Sequence, residues 1–164
     1  MLRRLLVATG AAVMLAAAPV SAAFATSGAH FFKDTGAGVA DSGALAVTID
    51  EAGVGNATVN YTVAWTATAD YGCINGGGNH PQASNKQTRT AGGSSSFSES
   101  PINGRVRATV NVDGTPPAAT GFSCPGGQTL VLADVSYKAT LSDTTNGVST
   151  DVSASRVFFT FGKK

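Results

Sequence analysis

Few side chains in this sequence could do chemistry, and they are scattered. His30 and His80 are the only histidines, the first near the N-terminus and the second inside a glycine-rich loop. No serine stands in a G-x-S-x-G elbow, so a hydrolytic triad such as His80, Asp70 and a serine would have to assemble in space without any local signal. Glu51 and Glu99 fall in apparent turns. A glycosidase needs two carboxylates on opposite sides of a sugar, and spacing alone does not place these two so. There is no D-x-D-x-D-G calcium loop and no G-x-x-x-x-G-K-[ST] phosphate loop. The residues therefore assign no catalytic group, no cofactor and no metal.

Cys73 and Cys124 are the only cysteines. In an oxidising compartment they pair, and closing so long a loop is worth about 4 kcal/mol in the chain-entropy model. The alternative is a metal site of Cys73, His80 and Cys124. Neither cysteine has the close local partner that zinc favours, which points to the disulfide.

The most unusual stretch follows Cys73. Asn75, Gly76, Gly77, Gly78, Asn79, His80, Asn85 and Lys86 combine backbone freedom with neutral hydrogen-bonding groups and one cation. Two readings stand side by side: a recognition loop tied at its base by Cys73, or a long connection whose amides satisfy their own backbone. A second glycine-rich loop, residues 121–128 around Cys124, would be pinned beside it by the disulfide. Together they form the candidate binding surface.

The elements that must position these residues are strands. From Val59 to Cys73 the odd positions, including Tyr61, Val63, Trp65 and Tyr71, are apolar or aromatic, and the even positions are mostly polar or small. That period places Trp65 and Cys73 on one buried face. A straight strand of this length is uncommon, so a bulge, bend or break is expected around Thr66–Asp70. Residues 129–142 alternate likewise, with Val131, Ala133, Val135, Tyr137, Ala139 and Leu141 inward. Arg105–Val112 alternates with Val106, Ala108, Val110 and Val112 inside and both arginines in water, where they discourage edge-to-edge aggregation. Further strands are read at 44–49, 148–152 and 157–161, with weaker ones near 85–90 and 94–98. Asn103-Gly104, Asp113-Gly114 and Asn146-Gly147 supply turns between them. About eight strands at this spacing predict a single antiparallel β-sandwich, immunoglobulin-like in architecture only, because Trp65 precedes both cysteines; a small β-barrel is the alternative.

The N-terminus carries Arg3 and Arg4, an apolar run too short to span a bilayer, and Ala23-Phe24-Ala25, the parts of a secretory signal peptide. Residues 1–25 are read as that signal, 26–43 as a flexible segment and 44–164 as the sandwich domain. Of the 164 residues, 13% are charged and 43% hydrophobic, with 11 Lys and Arg against 10 Asp and Glu. Removing the signal takes two arginines with it. The near-neutral remainder has no basic cluster for nucleic acid and no membrane span in its mature form.

Cys73-x-Asn75-Gly-Gly-Gly, Pro81, Asn85-Lys86, Phe122-Ser-Cys124-Pro-Gly-Gly-Gln128-Thr and Val135-Ser-Tyr137 together resemble a group of small exported proteins of high-GC Gram-positive bacteria. The resemblance covers about residues 57–152 and implies export and a disulfide, with no assigned activity. The expectation is a secreted, non-catalytic β-sandwich that binds an extracellular protein or glycan. An enzyme inhibitor presenting residues 113–128 and a carbohydrate or cell-wall hydrolase using Glu51 and Glu99 are the alternatives.

Overall fold

A computed structural model describes residues 28–75 and 85–160. The expected signal peptide, residues 76–84 and the last four residues lie outside them. Among the described residues there are eight strands: β1 (His30–Phe31), β2 (Gly36–Val39), β3 (Leu45–Ala52), β4 (Val59–Asn75), β5 (Lys86–Glu99), β6 (Arg105–Asn111), β7 (Gln128–Asp143) and β8 (Val148–Val157). They form two antiparallel sheets, neither closed into a barrel. In the small sheet β3 is central, with β6 on one side. On its other side β2 pairs with Leu45–Thr48 and β1 with Glu51–Ala52, like one broken strand. The large sheet has the order β5-β4-β7-β8.

The alternation of apolar residues explains how the sheets meet. Leu45, Val47 and Ile49 of β3 point into the sandwich and are buried, as are Tyr61, Val63, Ala67 and Ala69 of β4 and Val135, Tyr137 and Leu141 of β7. Their neighbours in sequence face away from the core. Each of the buried leucine, isoleucine and valine side chains, withdrawn from water, contributes about 1.5–3 kcal/mol. The core thus lies between the sheets and leaves the outer face of the large sheet free of packing duty.

A bulge between Asp70 and Tyr71 breaks the long β4–β7 pairing, at the far end of the interval where the strand's length called for one. Its effect reaches further than a bend. Asp70 pairs with Asp134 and Tyr71 with Leu132, so Ala133 is the extra residue. The bulge reverses the parity beyond it, and Leu132, not the expected Val131, packs against the core.

Three other expectations need correction. Residues within the supposed flexible segment form β1 and β2, because Phe31, Ala37 and Val39 gain cover against the core. The two weak strands near 85–90 and 94–98 are one strand, β5, running through Gly92 and Gly93 opposite Thr66 and Trp65. The strands read at 148–152 and 157–161 are replaced by one, β8, which runs unbroken from Val148 to Val157, where the chain turns so that the amides of Phe158 and Phe159 both donate to the Ala133 carbonyl.

Residues 112–127 cross from β6 in the small sheet to β7 in the large one and act as a strap. The Leu45 amide donates to the Gly114 carbonyl at 2.9 Å. The Tyr71 hydroxyl donates to the Pro117 carbonyl at 2.7 Å, and Arg89 donates to the carbonyl of Thr120. Cys124 then bonds to Cys73 of β4, with 5.5 Å between their Cα atoms. The strap lies over the part of the large sheet that the narrower small sheet leaves uncovered.

Candidate functional site

The large sheet turns outward a face built almost wholly from short polar side chains. The register brings Ser94, Ser96 and Ser98 of β5 beside Ala64, Thr62 and Asn60 of β4. Across β4 lie Thr140 and Ser142 of β7, and beyond them Asp151 and Ser149 of β8. Several of these groups bond across the strands: Ser98 donates to Asn60 at 2.7 Å, the hydroxyls of Thr62 and Ser96 meet at 3.2 Å, and those of Thr68 and Thr90 at 3.2 Å. Among the described outward residues of this sheet none is aromatic.

At the middle of the face lies an open depression of about 600 Å³. Ala64 and Thr66 of β4, Lys138 and Thr140 of β7, and Asp151 and Ser153 of β8 line it, with the cross-strand row Gly93, Trp65, Ala139 and Val152 running between them. The floor is low because Ala64 puts only a methyl group on it. Thr140 donates to the Asp151 carboxylate at 2.7 Å, which fixes that acceptor. Lys138 is exposed and joins no ion pair among the described residues. The depression therefore offers one cation, one oriented carboxylate and several hydroxyls.

A second depression of about 300 Å³ lies on the same face toward the disulfide, lined by Asp70, Thr88, Lys86 and Asp134 among others. Asp70 and Asp134 stand directly opposite one another. Burial, and then the charge of Asp70, pushes the Asp134 carboxyl above its ordinary value. Thr88 donates to Asp70, which is the triad candidate's acid; its histidine, His80, lies outside the described residues.

The expected binding loop can be placed only in part. Asn75 aligns with Gln128 at the end of β4, and Asn85 donates to the Gln128 side chain at 3.3 Å. Lys86 opens β5 and borders the smaller depression. Gly76, Gly77, Gly78, Asn79 and His80 lie outside the described residues. Cys73 and Cys124 are joined to each other, so neither serves as a thiolate ligand for a metal.

The two glutamates part company. Glu51, at the end of β3, is 0% exposed. It accepts from the Tyr61 hydroxyl at 2.7 Å through Oε2, while its Oε1 has no hydrogen-bond partner among the described residues. Burial raises its pKa to about 7; Tyr61 pulls it down, and the neighbouring Asp143 pushes it up. Asp143, also 0% exposed, caps the turn into β8 by accepting from the amides of Thr145 and Asn146. Glu99 lies at the far end of β5, opposite Val59. A sugar has no path to Glu51, so these two residues do not flank a glycosidic bond.

On the other outer face, Arg105 donates to both carboxylate oxygens of Asp50 at 2.6 Å, which holds that carboxyl below its ordinary value. Arg105 also lies over Phe32, 4.3 Å from the ring centroid. Arg105 is thus bound within the fold, while Arg107 stays largely in water with its Nε 3.5 Å from Asp50. His30, expected in a mobile segment, opens β1 with Nδ1 2.6 Å from the Gly28 carbonyl.

Sequence reasoning missed the depression around Lys138 although it placed Thr66, Lys138 and Thr140 on the wet face. The missing signal was register, which decides that these three lie side by side with Asp151 and Ser153. No family model, curated protein or solved structure gives a significant match to the chain.

Proposed function

We propose that the chain is an exported, non-catalytic β-sandwich that binds a neutral, hydroxyl-rich glycan on the outer face of its large sheet. The observation that carries this reading is the depression of about 600 Å³ lined by Thr66, Lys138, Thr140, Asp151 and Ser153. Short hydroxyls, one fixed carboxylate and one lysine can donate to and accept from sugar hydroxyls at little cost in side-chain entropy. With no aromatic side chain among the described residues of this face, recognition would rest on hydrogen bonds and sequential contacts along the strands. Export is supported by the basic and apolar N-terminus and by a disulfide of the kind that persists in oxidising compartments. Among the described residues no helix is long and apolar enough to cross a membrane.

The test is a panel of neutral polysaccharides and cell-envelope preparations presented to the exported protein, followed by titration of any that bind. Ser153→Trp should fill the depression and weaken binding at least tenfold while leaving the far-ultraviolet circular dichroism unchanged. Absence of binding across the panel, or equal binding by the filled variant, would overturn the reading.

A further inference from the structure

The two edges of the large sheet are treated differently. β8 lies against β2, and Arg156 closes the seam by reaching the Val39 carbonyl at 3.2 Å and Asp41 at 2.6 Å. β5, at the opposite edge, pairs with β4 through all of its 14 residues without a bulge. No backbone hydrogen bond joins its other side to any described segment. Natural edge strands are blunted by short length, proline, bulges or charge. β5 has neither proline nor bulge, its centre from Ala91 to Ser96 carries only small side chains, and its two inward-facing charges, Arg89 and Glu99, have opposite signs.

We propose that β5 pairs antiparallel with β5 of a second copy of this chain, about a twofold axis through Ser94. A twofold axis that continues a sheet must stand normal to it, so a residue meets one from the same face of the copy. With Ser94 on the axis, Arg89 lies opposite Glu99 of the copy and Glu99 opposite Arg89, and Ala91 lies opposite Phe97. Moving the axis to Gly93 puts Gln87 against Glu99 and Arg89 against Phe97. Moving it to Ser95 leaves Arg89 beyond the paired segment. Charge complementarity therefore selects one register among those the symmetry permits. The product is a continuous sheet of eight strands, twice the four of one copy. Both hydroxyl faces then lie on the same side of it, which would make any ligand of that face bivalently held. The pairing stands on β5 alone and does not depend on the glycan reading.

Sedimentation equilibrium of the exported chain reads the association, with folding of each variant checked by circular dichroism. The chain should sediment with twice its own mass. Arg89→Glu and Glu99→Arg should each raise the dissociation constant at least about tenfold, because each sets like charges opposite one another twice. An equimolar mixture of the two variants should recover the dimer, since both cross-copy pairs are then of opposite sign. Ser94→Cys should be joined to a covalent dimer by a short bifunctional maleimide, and Ser153→Cys should not. A chain that sediments as a monomer at its highest soluble concentration overturns the proposal. So does a dimer indifferent to both charge reversals, or a mixture that associates no better than either variant alone.

Discussion

Replacing Glu51 by glutamine should stabilise the protein, and increasingly so as pH rises from 4.5 to about 7. The carboxyl is wholly enclosed, with Tyr61 donating to one oxygen, the other oxygen without a partner among the described residues and the Asp143 carboxylate nearby. Its pKa stands at about 7 in the folded chain against 4.5 when free. A group whose folded value is raised binds more protons folded than unfolded between the two values, so stability falls as pH rises through that window. Below 4.5 the neutral carboxyl costs nothing extra, and above 7 its ionisation has removed about 3 kcal/mol. Glutamine keeps the shape and the acceptor for Tyr61 and never ionises. Urea denaturation at a series of pH values from 4 to 9 would give the two stabilities. Their difference should be near zero at the acid end and grow to about 3 kcal/mol by pH 8, with other titrating groups cancelling between the two proteins. Tyr61→Phe should move the wild-type loss to higher pH, since the lost hydrogen bond is what pulls the Glu51 pKa down. A difference independent of pH, or a glutamine variant weaker than wild type at pH 8, would refute the argument.

Other perturbations act on the strap and its seat. Replacing Cys73 and Cys124 together by serine should lower the unfolding free energy by about 2–4 kcal/mol, read from denaturant titration, and free the strap at its far end. Tyr71→Phe removes the donor to the Pro117 carbonyl and should cost about 1–3 kcal/mol by the same measurement, with faster amide exchange in residues 117–121. Gly93→Ala would place a methyl group 2.6 Å from Cζ2 of Trp65. The indole must shift, at about 1–3 kcal/mol, and the emission of this single tryptophan should shift with it.

The sandwich was legible because its long strands obey a strict period of two: Val63, Val135 and Leu141 announce their face, and Thr62, Ser136 and Ser142 announce the other. Where that rule fails, the cause is a contact distant in sequence. The exchange of Val131 for Leu132 follows from a bulge, which is a property of a pair of strands and leaves no mark in one of them. β5 looked broken at Gly92 and Gly93 because glycine is a poor strand former. Its place there is explained by the Trp65 ring pressed against Gly93 from the facing strand. Glu51 resembled a turn residue available to solvent because Ala52 and Gly53 follow it. Only the arrival of Tyr61 and Asp143 from other strands seals it in. The depression at Lys138 depends on the register of three strands, and no local pattern encodes that.

The unequal width of the two sheets ties these features together. Four strands in the large sheet cannot be covered by a small sheet that is three strands across, since β1 and β2 share one flank of β3. The uncovered margin falls at β5, where the strap closes the inner face through Tyr71, Arg89 and Ser95, whose hydroxyl donates to Asp113 at 3.1 Å. A loop lacks the repeating backbone ladder of a strand and needs separate attachments, which accounts for one disulfide and several side-chain donors gathered on one segment. The same arrangement leaves the outer edge of β5 without a backbone partner among the described residues, because the strap lies across its inner face and bonds to side chains. Releasing the strap and blocking the edge are therefore separable: Tyr71→Phe should weaken the fold while leaving self-association intact, and Glu99→Arg, at the end of β5 opposite Val59, should do most of its damage to association. A loss of association on Tyr71→Phe that matched its loss of stability would show that the strap, not the edge, makes the contact between copies.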